Sequence, residues 1–204
     1  MKIIVVAGIG TGIGKTLVSA ILVEALQADY WKPIQAGDLE NSDTMVVQSL
    51  VSSGKSVFHR EAFRLKNAMS PHAAAKSEGI EIKLSDLPLP KTENTLIIEL
   101  AGGIMVPLNS NELNVDLLKI WNASVVLVSQ NYLGSINHTL LSLELLKNRR
   151  IPVSGIVFNG GPNPQTEEFI LAYSNLNCIA RIGKINELNK QVIKKIAENL
   201  DPFL

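Results

Sequence analysis

The sequence has few of the residues that build disulfides, membrane spans or strongly charged surfaces. Cys178 is the only cysteine in 204 residues, which excludes an internal disulfide and a zinc site built from cysteines. Lysine plus arginine and aspartate plus glutamate number 19 each, so no overall charge attracts nucleic acid or an anionic membrane. No apolar run approaches the roughly 18 residues that span a bilayer. We therefore expect neither nucleic acid nor a membrane as partner, and local groups must bind any anionic ligand.

The first residues also lack the pattern of a secretion signal. A short apolar run after Lys2 gives way to glycines at Gly8, without a long apolar region or a small-residue cleavage site. Together with the single cysteine, this favours a reducing, cytoplasmic location. A chain of 204 residues can bury a continuous core as one α/β domain, and we expect a single domain over residues 1–204.

Short apolar runs alternate with helical patterns along the chain. The apolar runs, typical of strands buried on both faces, cover residues 2–7, 30–34, 95–100, 124–129, 153–158 and 178–182. The helical patterns cover residues 15–28, 43–52, 115–121, 136–148, 166–173 and 188–199. This alternation predicts an α/β fold in which helices cover both faces of a mainly parallel sheet. Residues 53–91 are less periodic, and we interpret them as an insertion with a short helix after Pro71.

A glycine-rich loop joins the first predicted strand to the first predicted helix. It reads Gly8-Ile-Gly-Thr-Gly-Ile-Gly-Lys-Thr16, with five residues between Gly8 and the Gly-Lys pair where the standard phosphate loop has four. Glycines let backbone N–H groups curl around a phosphate, Lys15 can reach the β and γ phosphates, and Thr16 can ligate Mg²⁺. A turn that binds nothing is the alternative. A dinucleotide site is excluded because Ile13 occupies the third glycine position.

Three charged side chains stand near ends of predicted strands, where ligands of parallel sheets bind. Lys32 lies among apolar residues and is costly to bury without an anion, although an edge-strand lysine with its head in water is an alternative. Glu99 ends a strongly apolar strand, where a carboxylate suggests the metal partner of Thr16. Asp43 follows Asn41-Ser42 at the start of a predicted helix, a pattern that helix capping alone also explains.

Two further loops follow predicted strands. Leu133-Gly-Ser-Ile-Asn-His138 opens a helix whose free N–H groups could hold a carboxylate, although Ser135 or Asn137 could simply cap that helix. The side-chain amide of Asn159 could pair with the edge of adenine, but Asn159-Gly160 is equally a turn signal. Each of these loops therefore has a structural as well as a binding interpretation.

Taken in order, these motifs resemble those of the dethiobiotin synthetases, a family of P-loop enzymes. The set comprises the variant loop ending in Gly-Lys-Thr16, Lys32-Pro33, Asn41-Ser-Asp43, Ser70-Pro-His72, Glu99 with Ala-Gly-Gly103, Gly134-Ser-Ile-Asn-His138 and Asn159. The resemblance extends over nearly the whole chain. It implies a P-loop NTPase type of α/β fold. It also implies ATP- and Mg²⁺-dependent closure of a ureido ring on 7,8-diaminopelargonate with CO₂, through a carbamate and its mixed anhydride with phosphate.

The same resemblance implies roles for individual residues. Lys15 and Lys32 would stabilise carbamate and phosphoryl oxygens as the catalytic residues, and Thr16, Asp43 and Glu99 would bind Mg²⁺. The nucleotide-binding residues would be Gly10, Thr11, Gly12, Ile13, Gly14, Lys15, Thr16, Leu17 and Asn159, of which Asn159 recognises adenine. Family members are homodimers with substrate across the interface. Besides Lys32, the substrate-binding residues would be Gly134, Ser135, Ile136 and Asn137, which receive the substrate carboxylate of the partner subunit's site.

Three residues depart from the family pattern. Ala36 stands where a Ser or Thr hydroxyl usually helps to hold substrate. Leu100 follows the metal carboxylate where glycine is usual, and Asn186 replaces a proline that commonly closes a loop near the nucleotide. None of these changes removes a charged group. We therefore expect retained activity with altered affinity for substrate or nucleotide.

Two other classes of P-loop protein compete with this interpretation. A partition-type ATPase that times the binding of a partner carries an extra lysine early in the loop, where this chain has Gly10. An amide-forming ligase of cobalamin synthesis carries a glutaminase domain with a cysteine nucleophile, for which 204 residues and Cys178 leave no room. The nucleotide-switched ATPase is therefore the alternative that remains beside the ring-closing ligase.

Overall fold

The computed structural model describes residues 1–200, so the last four residues of the expected domain lie outside the described part. The strands are β1 Ile3–Gly8, β2 Asp29–Trp31, β3 Ile34–Ala36, β4 Phe58–His59, β5 Phe63–Leu65, β6 Leu96–Glu99, β7 Ser124–Gln130, β8 Val153–Asn159 and β9 Cys178–Ile182. The α-helices are α1 Lys15–Leu26, α2 Asp43–Leu50, α3 Pro71–Ser77, α4 Asn114–Ile120, α5 Ser135–Asn148, α6 Pro164–Ser174 and α7 Lys190–Ala197. Short 3₁₀ turns cover Leu39–Asn41 and Leu84–Asp86.

The main sheet has seven strands in the order β4-β2-β6-β1-β7-β8-β9. Every pairing in it is parallel, which confirms the mainly parallel sheet predicted from the sequence. β1 lies between β6 and β7, and the chain moves outward from this centre first to β2 and β4 and later to β8 and β9. The carboxyl ends of β1, β2 and β6 are therefore neighbours, at the edge where parallel sheets bind ligands.

Alternate residues of the strands pack into two separate cores. Ile4 and Val6 of β1 face a core formed with α1, α2 and α7. Val5 and Ala7 face the opposite core, formed with α3, α4, α5 and α6. Helices thus cover both faces of the sheet, as the alternation of strands and helices predicted. Within residues 1–200, no helix is long and apolar enough to cross a bilayer.

The predicted strand over residues 30–34 is wrong as a single element. β2 ends at Trp31 in the main sheet, whereas β3 begins at Ile34 and pairs with β5 in a separate two-stranded parallel sheet. Pro33 has no N–H to donate to a strand ladder, and its carbonyl instead accepts from the backbone N–H groups of Ala62 and Phe63. The break leaves Lys32 at the carboxyl end of β2, pointed toward β6.

The insertion over residues 53–91 contains more regular structure than its sequence indicated. The predicted short helix is α3, which begins at Pro71 itself because proline is favoured in a first turn whose N–H groups have no intrahelical partner. β4 and β5 were not predicted. They have two and three residues, which is too short for a period-2 pattern to be recognised.

Candidate active site

The glycine-rich loop wraps around the start of α1 in a backbone conformation that requires glycine. Gly12 and Gly14 have φ angles of 72° and 92°, in the left-handed region that residues with a side chain rarely adopt. A Cβ on Gly14 would also lie 2.2 Å from Asn159 Nδ2. The side-chain amide of Asn159 donates to the carbonyl of Ile13 at 2.8 Å, so β8 holds the loop from the far side.

Lys15 lies at the first position of α1 with its ammonium folded back over the loop. Its Nζ donates to the carbonyl of Gly10 at 2.9 Å. Burial, followed by the nearby charge of Lys32, lowers the pKa of Lys15 to about 8. Glu99 and Asp43 raise this pKa but do not outweigh burial and Lys32, so a bound anion would add favourable counter-charge at Lys15.

Lys32 is the centre of a buried charge cluster. Its ammonium lies 2.6 Å from Asp43 Oδ2 and 2.9 Å from Glu99 Oε1, and its side chain is only 5% exposed. Lys32 therefore has the anionic partners expected for a lysine among apolar residues. The alternative, an edge-strand lysine with a solvent-exposed ammonium, is excluded. Burial alone would lower the pKa of Lys32, but Glu99 and Asp43 outweigh burial and raise it above its usual value.

Thr16 joins the two carboxylates of this cluster. Its hydroxyl lies 2.9 Å from Asp43 Oδ1 and 3.0 Å from Glu99 Oε1, so its one proton is shared between them. Burial alone would raise the pKa of Asp43, but the Lys32 ammonium and the Thr16 hydroxyl lower it below its usual value. Asp43 is thus ionised at neutral pH. The structure brings the three predicted metal-binding residues together, from three different elements.

Asp43 is held by residues that the sequence did not single out. Its backbone N–H donates to Gln35 Oε1 at 3.1 Å, and the amide of Gln35 in turn donates to the carbonyl of Gly37. Ser42 is the N-cap of α2, as the Asn-Ser-Asp pattern indicated, and its hydroxyl also donates to Glu61 Oε1 at 3.1 Å. Ser42 is readable from sequence as a cap, whereas Gln35 and Glu61 have no sequence signal because their role depends on contacts between distant segments.

The glycine-rich loop and the charge cluster line one cavity of about 730 Å³, a size suited to small-molecule substrates. The phosphate loop and the charge cluster form one part of its wall: Thr11, Gly12, Gly14, Lys15, Thr16, Lys32, Asp43 and Glu99. The remaining wall comes from other segments and includes Ala36, Asp38, Met69, Ser70, Pro71 and Val106. The cavity therefore has room for a second small molecule beside a bound phosphate chain.

The oxygen atoms of the cluster suit Mg²⁺ bound together with phosphates. In the described part of the chain, no group of three or more His, Cys, Asp or Glu side chains could hold a metal by itself. Mg²⁺ is usually bound through one or two carboxylates, water and substrate phosphates, which is what Asp43, Glu99 and the Thr16 hydroxyl provide. The ammonium of Lys32 lies between the two carboxylates and compensates only one of their two negative charges, which leaves negative charge for a metal ion.

Two predicted sites are not part of this cavity. Gly134 is the N-cap of α5 with φ of 100°, and neither Ser135 nor Asn137 caps that helix with its side chain. No residue of 134–137 lines the described cavity. Asn159 does not line it either and contacts the outer side of the loop. His138 is paired with the Tyr132 hydroxyl at 2.7 Å, in keeping with a structural histidine.

The departures at Ala36 and Leu100 have different consequences. Ala36 lines the cavity and carries no hydroxyl there. The side chain of Leu100 is buried in the core, while its carbonyl lies 3.5 Å from Lys32 Nζ. The left-handed residue of this loop is Gly102, with φ of 72°. A leucine after Glu99 is thus accommodated without displacing the carboxylate from Thr16 and Lys32.

Comparison with known proteins places the chain among close relatives. A family model described as an AAA domain matches residues 2–192. The ATP-dependent dethiobiotin synthetase BioD of Christiangramia forsetii is 51% identical over 193 residues, which cover 95% of this chain and 93% of that protein. The protein of the same name from Cytophaga hutchinsonii is 50% identical over 201 residues, covering 98% and 97%.

Solved structures of lower identity share the fold. A ParA family ATPase from Chlorobium tepidum superposes with a TM-score of 0.61 at 13% identity and 98% coverage of each chain. The septum site-determining protein MinD from Pyrococcus horikoshii, complexed with Mg-ADP, gives 0.58 at 15% identity, with 98% and 96% of the two chains covered. At such identities the likeness concerns the fold alone.

Proposed function

The chain belongs to the ATP-dependent dethiobiotin synthetase family, and from this premise we propose that it closes the ureido ring of dethiobiotin on 7,8-diaminopelargonate. One amine takes up CO₂ as a carbamate and releases a proton. A carbamate oxygen then attacks the γ-phosphorus of ATP and ADP leaves. The second amine attacks the carbonyl carbon of this mixed anhydride, a C–N bond forms, and phosphate and a proton leave.

One observation carries this proposal: the phosphate loop and the Lys32 cluster share a cavity that continues beyond them. A protein that only hydrolyses ATP needs space for the phosphate chain and a water molecule. This cavity of about 730 Å³ is also lined by Ala36, Ser70 and Val106, which belong neither to the loop nor to the charge cluster. This additional wall supports a second substrate beside the γ-phosphate.

The two buried lysines have separate parts in this scheme. Lys15, folded over the loop at Gly10, binds the β and γ phosphates of ATP. Lys32 lies between Asp43 and Glu99 and lines the same cavity, where its ammonium can contact both the carbamate and the phosphoryl group in transfer. Stabilisation of developing negative charge by fixed cations is the main contribution that a protein makes to phosphoryl transfer.

Thr16, Asp43 and Glu99 hold Mg²⁺ in this proposal. Bound there, the ion neutralises charge on the β and γ phosphates. The chain contributes the three oxygen groups, and the carboxylates of Asp43 and Glu99 each lie within 3.0 Å of the Thr16 hydroxyl. Glu99 is almost completely buried, so its orientation is fixed before any ligand binds.

Ring closure needs no nucleophilic side chain in this scheme. Both amines belong to the same molecule, so the second amine attacks an anhydride held close to it, and an intramolecular reaction has a large kinetic advantage. The cavity wall offers lysines, carboxylates and hydroxyls but no cysteine or histidine. Residues 1–204 would carry out all these steps as one ligase domain.

Asn159 has two functions in this proposal. One amide hydrogen is committed to the carbonyl of Ile13, which braces the loop. The second hydrogen and the carbonyl oxygen stay available for the N7 and N6 positions of adenine. The remaining nucleotide contacts come from residues 10–17, whose backbone N–H groups lie at the start of α1.

The proposed active unit is a homodimer in which the start of α5 completes the partner subunit's site. Residues 134–137 line no part of the described cavity of their own chain, and Leu133 beside them is fully exposed. Three free N–H groups at a helix N-terminus are suited to bind the substrate carboxylate. An exposed leucine at the same tip supports burial against a second copy.

Complementation between inactive variants tests this arrangement. Gly134→Val forces a side chain onto a φ of 100° and disturbs the N–H groups of α5, while Lys15→Ala removes the phosphate lysine. We expect each homodimer to be inactive. After exchange of subunits, each mixed dimer has one intact site, so about a quarter of all sites regain activity. No recovery despite mixed dimers on native mass spectrometry would place residues 134–137 in the same subunit's site or outside it.

The proposed reaction is tested by phosphate release from ATP with bicarbonate, with and without 7,8-diaminopelargonate. We expect release to depend on the diamine, with one dethiobiotin formed for each phosphate. Release that is indifferent to the diamine would contradict the ligase and favour a nucleotide-switched ATPase.

A further inference from the structure

Tyr30 is a buried residue that neither the family motifs nor the cavity wall includes. It is the middle residue of β2 and has no exposed surface. Its hydroxyl donates to Glu99 Oε2 at 2.9 Å, in the interior between the sheet and α1. A buried phenol normally has a hydrogen-bond partner, and here that partner is a side chain proposed to bind metal.

The two oxygens of Glu99 are used differently. Oε1 contacts Thr16 and Lys32, the groups that line the cavity. Oε2 points the other way, and within residues 1–200 it accepts a hydrogen bond only from Tyr30. Tyr30 belongs on this face to the apolar core that includes Ile4, Val6 and Ile97. Tyr30 on Oε2 therefore restrains, together with Thr16 and Lys32 on Oε1, the rotation of the carboxylate about its last bond.

The register of the sheet explains how Tyr30 reaches this oxygen. Tyr30 is opposite Ile97 in the neighbouring strand, two residues before Glu99. Side chains two apart on a strand point to the same face, and the strand advances about 6.6 Å over that distance. The long tyrosine side chain spans this distance, whereas a smaller residue at position 30 would leave Oε2 unpaired in the core.

We propose that Tyr30 is a positioning residue for the metal site, which fixes the Glu99 carboxylate so that Oε1 faces the cavity. The inference rests on the proposed role of Glu99 as a metal ligand. Groups that hydrogen-bond to metal ligands orient them and typically contribute 10- to 100-fold to metal affinity. Tyr30 itself does not contact the nucleotide or the metal.

The test is Tyr30→Phe, which removes one oxygen and keeps the ring that packs 6.3 Å from Phe58. We expect the dissociation constant for Mn²⁺, measured by electron paramagnetic resonance with ADP present, to rise about tenfold. The Mg²⁺ concentration for half-maximal turnover should rise in parallel. Turnover at saturating Mg²⁺ should stay near the wild-type rate, because the metal, once bound, restores the site. A tyrosine with a purely structural role would instead lower the melting temperature without changing metal affinity.

Tyr173→Phe is the matched control. Tyr173 is an exposed residue at the end of α6 that stacks on Phe169, remote from the cavity wall. This variant should keep the wild-type affinity for Mn²⁺. An unchanged Mn²⁺ affinity in folded Tyr30→Phe would overturn the inference while leaving the ligase proposal intact. Failure of the wild type to bind Mn²⁺ with ADP would instead overturn the metal site as a whole.

Discussion

Replacing Lys15 with alanine should abolish turnover and leave the fold intact. Lys15 is the cation at the start of α1, and its ammonium contacts the glycine-rich loop at the carbonyl of Gly10. Without it, the charge on the β and γ phosphates is uncompensated on that side, and we expect turnover to fall by at least about a thousandfold. Phosphate release with ATP, bicarbonate and diamine measures this effect. Turnover at the wild-type rate would rule out the phosphate-loop assignment.

The stability of the same variant separates loss of function from loss of structure. A buried lysine with its pKa lowered to about 8 costs free energy when charged, so its removal should not destabilise the unliganded protein. We expect the free energy of unfolding in urea to be unchanged or higher. A large decrease would mean that Lys15 is needed for folding, and the kinetic result could then not be assigned to catalysis.

The lowered pKa of Lys15 also gives the sign of a pH effect on ATP affinity. Phosphate favours the charged lysine, so its pKa is higher in the complex than the value of about 8 in the free protein. Affinity should therefore be full below about pH 8 and fall by up to about tenfold per pH unit above it. Lys15→Arg, whose charge persists, should flatten this dependence in calorimetric titrations.

The second large effect is expected for Glu99→Gln, which keeps the shape of the side chain and removes its charge. The proposed metal site loses one of two carboxylates, and Lys32 keeps only Asp43 as an ion-pair partner. We expect kcat/KM to fall by about two to three orders of magnitude. The free energy of unfolding should also fall, by about 1–3 kcal/mol, because the buried ammonium of Lys32 loses one partner.

Asp29→Asn is a control matched in burial and chemistry. Asp29 is a buried carboxylate at the opposite end of β2, where it accepts hydrogen bonds from Val57, Thr92 and Asn94. Its replacement should lower stability by a similar amount and leave the Mg²⁺ dependence of turnover unchanged. If Asp29→Asn and Glu99→Gln lost activity equally, the effect of Glu99 would be structural and not specific to the metal.

The glycine-rich loop and the buried position of Lys32 were predicted from local patterns. The glycine-rich loop was recognised from its glycines and their position between a strand and a helix. Lys32 was singled out because burying an unpaired cation has a high free-energy cost. The partners of Lys32 were expected only as an unspecified anion. That Asp43 and Glu99 share this lysine depends on β2 and β6 being neighbours, which no local pattern reveals.

Other contacts could not be predicted from sequence at all. Tyr30 reads as one apolar strand residue among others, because nothing near it in the chain shows that Glu99 Oε2 needs a donor. The amide of Asn159 was expected to face adenine, and the contact it makes in the structure is with Ile13, 146 residues away. Such hydrogen bonds join segments that only folding brings together.

The sequence by itself determined the class of fold, the phosphate loop and the family, because these depend on short-range features: apolar periodicity, glycine spacing and charged residues at strand ends. The tertiary structure decided how those charges compensate one another. Within residues 1–200, Lys15 has no carboxylate at ion-pair distance, whereas Lys32 has two, and this difference contributes to pKa values shifted in opposite directions. The physical reason is that burial and Coulomb interaction depend on distances in space, which the order of residues does not contain.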